Sequence, residues 1–128
     1  MSVDLLGDAM NTIKTHEMAG MQKCKVRASR LVKDVLEIFK KNGYVTSYEM
    51  VDDGKGGYYK VALGGFINNC GVIKPRTPIK KGEWARVEQN YIPGVGVGLI
   101  VVSTPKGVLT NKEANEMQVG GRLLAFVY

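Results

Sequence analysis

The chain has 128 residues, of which 45% are hydrophobic, and a formal net charge of +6 at pH 7. That length suits one ordinary domain, or two small lobes sharing a core, and the apolar fraction is high enough for the chain to bury a core, so it need not be disordered. No apolar run approaches the roughly 20 residues of a membrane span, and the opening MSVDLLGDAM lacks the cationic start of a secretory signal.

The content of cysteine and histidine limits metal chemistry. Cys24 and Cys70 are the two cysteines and His16 is the one histidine, and no C-x-x-C pair occurs. These residues are too few for a four-ligand zinc site, so we expect neither a metal nor another cofactor. We expect both thiols to be buried and reduced, in a cytoplasmic protein.

The residues up to 65 predict the order α-β-α-β-β. Helical spacing joins Leu5, Leu6, Ala9, Met10 and Ile13. The exposed side of that helix carries Asn11 and Lys14. The alternating MQKCKVRA, at 21–28, predicts a strand.

Ser29 precedes a second helical stripe as a candidate N-cap, and Gly43 is its predicted left-handed end. The stretches 44–51 and 58–63 predict two strands of a hairpin, because DDGKGG joins them.

The residues after 65 predict a mainly β part. Short strand-like pieces surround two prolines, and NYIPGVGVGLIVVS leads into a longer strand. A short helix begins at Thr110 or Asn111 and ends at Gly120-Gly121, which we interpret as a cap followed by tight backbone packing or by close approach to a ligand. RLLAFVY predicts a last strand. We therefore predict an α+β fold. Its N-terminal α-β-α-β-β part (1–65) packs against a mainly β C-terminal part with one short helix (66–128).

The positive charge is concentrated in two stretches of the chain. Residues 14–33 contain six Lys or Arg and one acid, Glu17, and residues 74–86 contain five and one acid, Glu83. Such clustering indicates an anionic partner, with nucleic acid ahead of an acidic membrane or protein.

The stretch STPKG, at 103–107, ends an apolar strand with unusual chemistry. The hydroxyls of Ser103 and Thr104 suit 2′-hydroxyls, phosphates or base edges, and Lys106 supplies a point charge. Pro105 stiffens the tip, and Gly107 permits a close turn. The alternative is a strand-to-helix turn in which Ser and Thr bond their own backbone.

The sequence shows no arrangement of residues that is typical of a catalytic site. The glycine-rich GVGVG at 94–98 precedes its strand and matches neither a dinucleotide fingerprint nor a Walker loop. His16 has no nucleophile beside it, and Glu113 and Glu116 are typical of a solvated helix face. We assign no catalytic residue and expect a protein that is not an enzyme.

Several segments together resemble the ribosomal protein S-eight family of the small subunit. They are STPKGVLTNKEANEMQVGGRLLAFVY, LGDAMNTIKTHEMAG, VRASRLVKDVLEIFKKNGYV and INNCGVIKPR, which cover essentially the whole chain. NCGVIKPR and the AFVY end are similar to the archaeal branch. The family usually has serine at the third tip position. Pro105 stands there in this chain, which removes one hydroxyl and one N–H donor.

The resemblance implies a non-enzymatic, primary binder of 16S rRNA in the ribosome. It would bind an irregular helix of the central domain through the minor groove, nucleate assembly of the platform, and be a monomer beforehand. Its partners would be that rRNA and neighbouring small-subunit proteins, with its own mRNA as a further target. The implied RNA-binding residues are Asn11, Lys14, Ser29, Arg30, Lys33, Ser103, Thr104, Lys106, Gly107, Gly120 and Gly121.

Two other classes of function stay open at this point. A phosphate-binding enzyme would use Lys106 and the helix start near Thr110 as an anion cradle. A basic adaptor would bind proteins through apolar surface and be indifferent to RNA.

Overall fold

The computed structural model describes residues 5–73, 76–93 and 97–128. The chain forms two compact units, Met1–Cys70 and Gly71–Tyr128. Helices and antiparallel strands occur together, so the predicted α+β class is confirmed. The proposed division into 1–65 and 66–128 stays a prediction.

The first unit has the predicted order of elements. They are α1 (Leu5–Met18), β1 (Lys23–Arg27), α2 (Arg30–Lys41), β2 (Ser47–Val51) and β3 (Tyr58–Ala62). The strands form an antiparallel sheet of order β1-β3-β2. Cys24 and Val26 on β1, and Tyr59 and Val61 on β3, point into the core, while their alternate neighbours on β1 are exposed. This alternation follows from the two-residue period of a strand.

Both predicted ends of α2 are confirmed. The Ser29 Oγ accepts a hydrogen bond from the Val32 N–H at 3.1 Å, which satisfies one free donor of the first turn. Gly43 has φ +81°, and the N–H of Tyr44 bonds the Phe39 carbonyl at 2.9 Å. The Gly43 N–H bonds the Lys40 carbonyl, so the helix ends in a Schellman motif.

The second unit is built around one long sheet. It begins with β4 (Cys70–Val72), whose first residue is the last of the first unit. Its other elements are β5 (Pro78–Ile79), α3 (Trp84–Tyr91), β6 (Leu99–Thr104), β7 (Gly107–Thr110), α4 (Asn111–Glu116) and β8 (Gly121–Val127). The sheet order is β4-β8-β6-β7, and β5 also pairs with β8. The core lies between this sheet and the helices. It includes Ile100 and Val102 of β6, Leu123 of β8 and Trp84 of α3.

Two elements of this unit were not predicted. α3 is a second helix besides the short one expected, and only Trp84 and Val87 of it are buried. Its two buried residues are three apart, which makes only a short helical stripe in the sequence. β7 occupies residues expected to form a turn and a helix start. Its four residues become a strand because β6 offers them an antiparallel partner.

The end of α4 corrects one prediction. The helix ends at Glu116, before Gly120-Gly121, and the left-handed residue is Gln118, with φ +55°. The N–H of Val119 then bonds the Ala114 carbonyl at 3.0 Å. The two glycines therefore do not terminate the helix. They serve the packing of β8, as described below.

In the described ranges, no helix is long and apolar enough to cross a bilayer. Residues 74–75 and 94–96 lie outside those ranges, so the predicted contribution of Lys74 to the basic cluster, and most of GVGVG, are not placed.

The two thiols are free and buried, as predicted. Burial, with a smaller effect of the Glu17 charge, raises the pKa of Cys24 to about 11. Burial likewise raises the pKa of Cys70 to about 12. Because only thiolates are nucleophilic, we expect iodoacetamide at pH 8 to alkylate the native chain about a hundredfold more slowly than the urea-unfolded chain. Mass spectrometry of timed samples measures this. Equal rates in the two states would contradict the burial of the thiols.

Candidate nucleic-acid interface

The STPKG stretch forms the tip of a β-hairpin. β6 and β7 pair antiparallel with Ser103 opposite Val108 and Thr104 opposite Gly107, so Pro105 and Lys106 form the two-residue turn. Pro105 fixes its own φ near −65°, and Gly107 has φ +118°, where a side chain would be strained. The tip is therefore a constrained turn held by two strands.

Thr104 stabilises the turn with its own hydroxyl. Its Oγ1 donates to the Gly107 carbonyl at 2.8 Å and accepts from the Lys106 N–H at 3.1 Å. This is the self-bonding alternative that the sequence left open, and it holds for Thr104. The hydroxyl proton is engaged, so Thr104 can present only an acceptor lone pair to a ligand.

Ser103 behaves differently from Thr104. Its side chain is exposed, and its hydroxyl bonds no residue that the structure describes. Both its donor and its acceptor positions face solvent. The strand register places Arg122 of β8 directly opposite Ser103, and Arg122 is also exposed. Directly opposite side chains stand about 5 Å apart at Cβ, so these two residues are neighbours on one face of the sheet.

Arg122 was missed in the sequence. It stands alone in GGRLLAFVY, outside both basic clusters, and only the pairing of β6 with β8 brings it to Ser103. A usable signal was its place directly after the glycine pair, at the start of the predicted last strand. With the exposed Lys106 of the turn, this end of the sheet presents a hydroxyl and two cations.

Positions 120 and 121 require glycine because other backbone segments pack directly against them. A Cβ on Gly120 would collide with the Ile79 carbonyl oxygen, and one on Gly121 would collide with the Ser103 carbonyl oxygen. Gly121 therefore lies against the strand end that carries Ser103. The predicted set of tip residues and glycines is brought together in this unit.

The predicted residues of the first unit lie on two helices. Asn11 is exposed and Lys14 is half-buried, three residues apart on α1. Arg30 and Lys33 are exposed at the start of α2, also three apart and so on one face. Ser29 caps that helix, so its Oγ already accepts one hydrogen bond. Each pair could hold phosphate oxygens.

The anion cradle required by a phosphate-binding enzyme is not formed. Lys106 and Thr110 are separated by the length of β7, roughly 13 Å at 3.3 Å per residue. The start of α4 is occupied by a capping box, in which Thr110 bonds the Glu113 N–H and the Glu113 carboxylate bonds the Thr110 N–H. A carboxylate in that position repels phosphate. No metal-holding group of three or more His, Cys, Asp or Glu occurs among the described residues.

Comparison with known proteins gives a consistent result. The family model described as Ribosomal protein S8 matches residues 4–128. The small ribosomal subunit protein uS8 of Methanococcoides burtonii is 44% identical over 127 residues, covering 98% of each chain. The uS8 protein of Archaeoglobus fulgidus is 43% identical over 129 residues, covering 100% of each.

Proposed function

The chain belongs to the ribosomal protein S8 family, archaeal type, and from this membership we propose that it binds small-subunit rRNA directly through the β6–β7 hairpin. It is a structural constituent of the small subunit of the cytoplasmic ribosome and not an enzyme. The finer proposal is that it is a primary binder of the 16S rRNA central domain, at an irregular helix, and helps to assemble the platform.

The observation that carries this proposal is the exposed hydroxyl of Ser103 beside Arg122. A hydroxyl that neither donates to nor accepts from the described protein is available for a 2′-hydroxyl or a base edge in an irregular minor groove. Arg122 and Lys106 supply phosphate contacts that hold the hairpin in register on the RNA. Gly107 allows close approach at the turn, and Gly120 and Gly121 keep the strand ends tightly packed.

The residues on α1 and α2 have a supporting role in this proposal. Asn11 with Lys14, and Arg30 with Lys33, would contact flanking phosphates, with the Ser29 hydroxyl proton as a further donor. Such contacts add affinity without reading sequence. The same surfaces would accept an mRNA that reproduces the irregular helix, including the chain's own message.

We expect Ser103→Ala to reduce the preference for an irregular central-domain rRNA fragment over a regular duplex of equal length by roughly fivefold, the value of one hydrogen bond. Lys106→Ala should weaken binding to both RNAs and flatten the salt slope by about one unit at most. Filter binding across a salt series measures both effects.

The controls are Thr46→Ala, an exposed hydroxyl of the first unit, and Lys112→Ala, an exposed lysine of α4. Neither should change the preference. If the parent bound both RNAs equally and Ser103→Ala matched its control, the hairpin would be only a turn. Binding indifferent to RNA but lost on changing the exposed Met18 or Phe66 would instead favour a protein adaptor.

A further inference from the structure

The three-stranded sheet of the first unit has one face that is not part of the core. The register places Lys25 of β1, Lys60 of β3 and Glu49 of β2 in one row across the sheet. Lys23 and Arg27 lie two residues to either side of Lys25, and all these side chains are exposed. We call this surface the open sheet face; its charged residues are Lys23, Lys25, Arg27, Lys60 and Glu49, and Tyr58 is its aromatic residue.

The open sheet face carries four cations and one carboxylate. Lys25 and Lys60 are directly opposite each other, an arrangement that destabilises an antiparallel pair. None of the four forms an ion pair within the described ranges, where the ion pair observed joins Arg86 to Glu83 in the second unit. Glu49, directly opposite Lys60 in the register, offsets one of these charges, which leaves the face with an excess of positive charge that is unfavourable to the isolated sheet. A bound polyanion would relieve this repulsion.

One of these cations is held in place by an aromatic ring. The Lys25 Nζ lies 4.8 Å from the centre of the Tyr58 ring, within the range of a cation–π contact. This contact keeps the ammonium group above the sheet instead of free in solvent. An ordered side chain loses less conformational entropy when it binds a ligand.

The face also contains a depression of about 290 Å³ between Lys23 and Lys60. Ala62 lies between them and leaves room because its side chain is small, and the Ser47 hydroxyl lies on the rim. The Glu49 carboxylate also lines the hollow and disfavours a phosphate on its side, so the two ammonium groups and the hydroxyl are the groups that would hold phosphate oxygens there.

We propose that the open sheet face is a second RNA-binding surface, which holds a phosphate backbone of small-subunit rRNA independently of the hairpin. The choice of RNA rests on the proposed function, since a ribosomal constituent meets rRNA phosphates first. The spacing of the cations supports the choice of RNA independently of the proposed function. Cations every second residue stand about 7 Å apart along β1 on one exposed face, which suits an extended charged strand.

The first test is lysine footprinting of the unmodified protein. The full chain, free or bound to a fragment of the rRNA central domain that includes the flanking helices, is treated with an acetylating reagent and analysed by mass spectrometry. We expect Lys25 and Lys60 to be protected severalfold by the rRNA. Lys41 and Lys112, which are exposed elsewhere, should react equally in both samples.

The second test removes charge. Lys25→Gln/Lys60→Gln should weaken binding to the same fragment on the order of tenfold and lower the salt slope by about 1.5 units. Lys41→Gln/Lys112→Gln removes the same charge and should leave binding near that of the parent. The preference for irregular over regular RNA should persist in both double variants, because it depends on Ser103.

The results separate the two proposals. Suppose that Lys25→Gln/Lys60→Gln loses affinity for the rRNA fragment, while Ser103→Ala keeps the parent's preference for irregular RNA. That result would support RNA binding by the open sheet face and refute RNA reading by the hairpin. The proposal for the open sheet face would be overturned if Lys25 and Lys60 were acetylated equally with and without rRNA. It would also be overturned if the two double variants lost the same affinity for the rRNA fragment. Protection by phosphatidylserine vesicles or polyglutamate, but not by rRNA, would overturn it in favour of a membrane or an acidic protein.

Discussion

We expect Gly121→Ala to destabilise the second unit by about 3 kcal/mol, because the added methyl group meets backbone that cannot move alone. The Cβ would collide with the Ser103 carbonyl oxygen and lie 2.9 Å from the Val102 Cγ2. Either β8 or β6 must shift, and both strands are largely buried in the core of that unit. Because β6 carries Ser103, the shift should also reduce the preference for irregular rRNA.

Urea unfolding followed by tryptophan fluorescence measures this effect, since the single tryptophan, Trp84, is buried in the second unit. Gly82→Ala is the matched control. Gly82 has φ +89° but an added Cβ would meet nothing within 4 Å, so only backbone strain of about 1 kcal/mol is expected. A Gly121→Ala midpoint equal to that of Gly82→Ala would show that close packing is not the reason for the glycine.

The second large effect concerns Asn111, a buried polar residue at the start of α4. Its Oδ1 accepts from the Ile100 N–H at 3.1 Å, and its Nδ2 donates to the Glu88 Oε1 at 2.7 Å. One side chain thus connects β6, α3 and α4. Asn111→Ala leaves a buried N–H unpaired and a carboxylate without its donor. We expect a loss of about 3 kcal/mol in the free energy of unfolding.

The same urea experiment measures the effect of Asn111→Ala, with Asn115→Ala as control. Asn115 is on the same helix but exposed, so its replacement should change stability by less than about 0.5 kcal/mol. If the two variants unfolded at the same urea concentration, the Asn111 hydrogen bonds would contribute nothing to stability. rRNA binding by Asn111→Ala should fall only as far as the second unit is unfolded, because the side chain is buried.

The first unit could be predicted almost completely from sequence. Local signals agree there: the α1 stripe, the Ser29 cap, the Gly43 end and the DDGKGG turn each specify one structure with nearby residues. Asp53, for example, accepts hydrogen bonds from Lys55 and Gly57 within the turn itself. Such signals need no partner distant in the chain.

The second unit was harder to predict because its elements are short and depend on distant partners. β7 has four residues whose burial does not alternate, and α3 has two buried positions, so neither shows a clear pattern in the sequence. For Gly120 and Gly121 the predicted helix end is wrong, while the predicted tight backbone packing is confirmed. The sequence did not identify the backbone that they pack against. Nothing near them in sequence shows that Ile79 and Ser103 approach their backbone.

The sequence by itself determined the α+β class, the basic character, the absence of a catalytic arrangement and the family, because these follow from composition, local periodicity and motif. The tertiary structure alone decided that Thr104 is engaged in its own turn while Ser103 is available. It also decided that Arg122 stands opposite Ser103, and that Lys25 and Lys60 share one face. The role of Thr104 depends on the local geometry of the two-residue turn, which places its hydroxyl next to Lys106 and Gly107. The other two are consequences of strand register, which joins residues distant in the chain and is set by which faces can be buried.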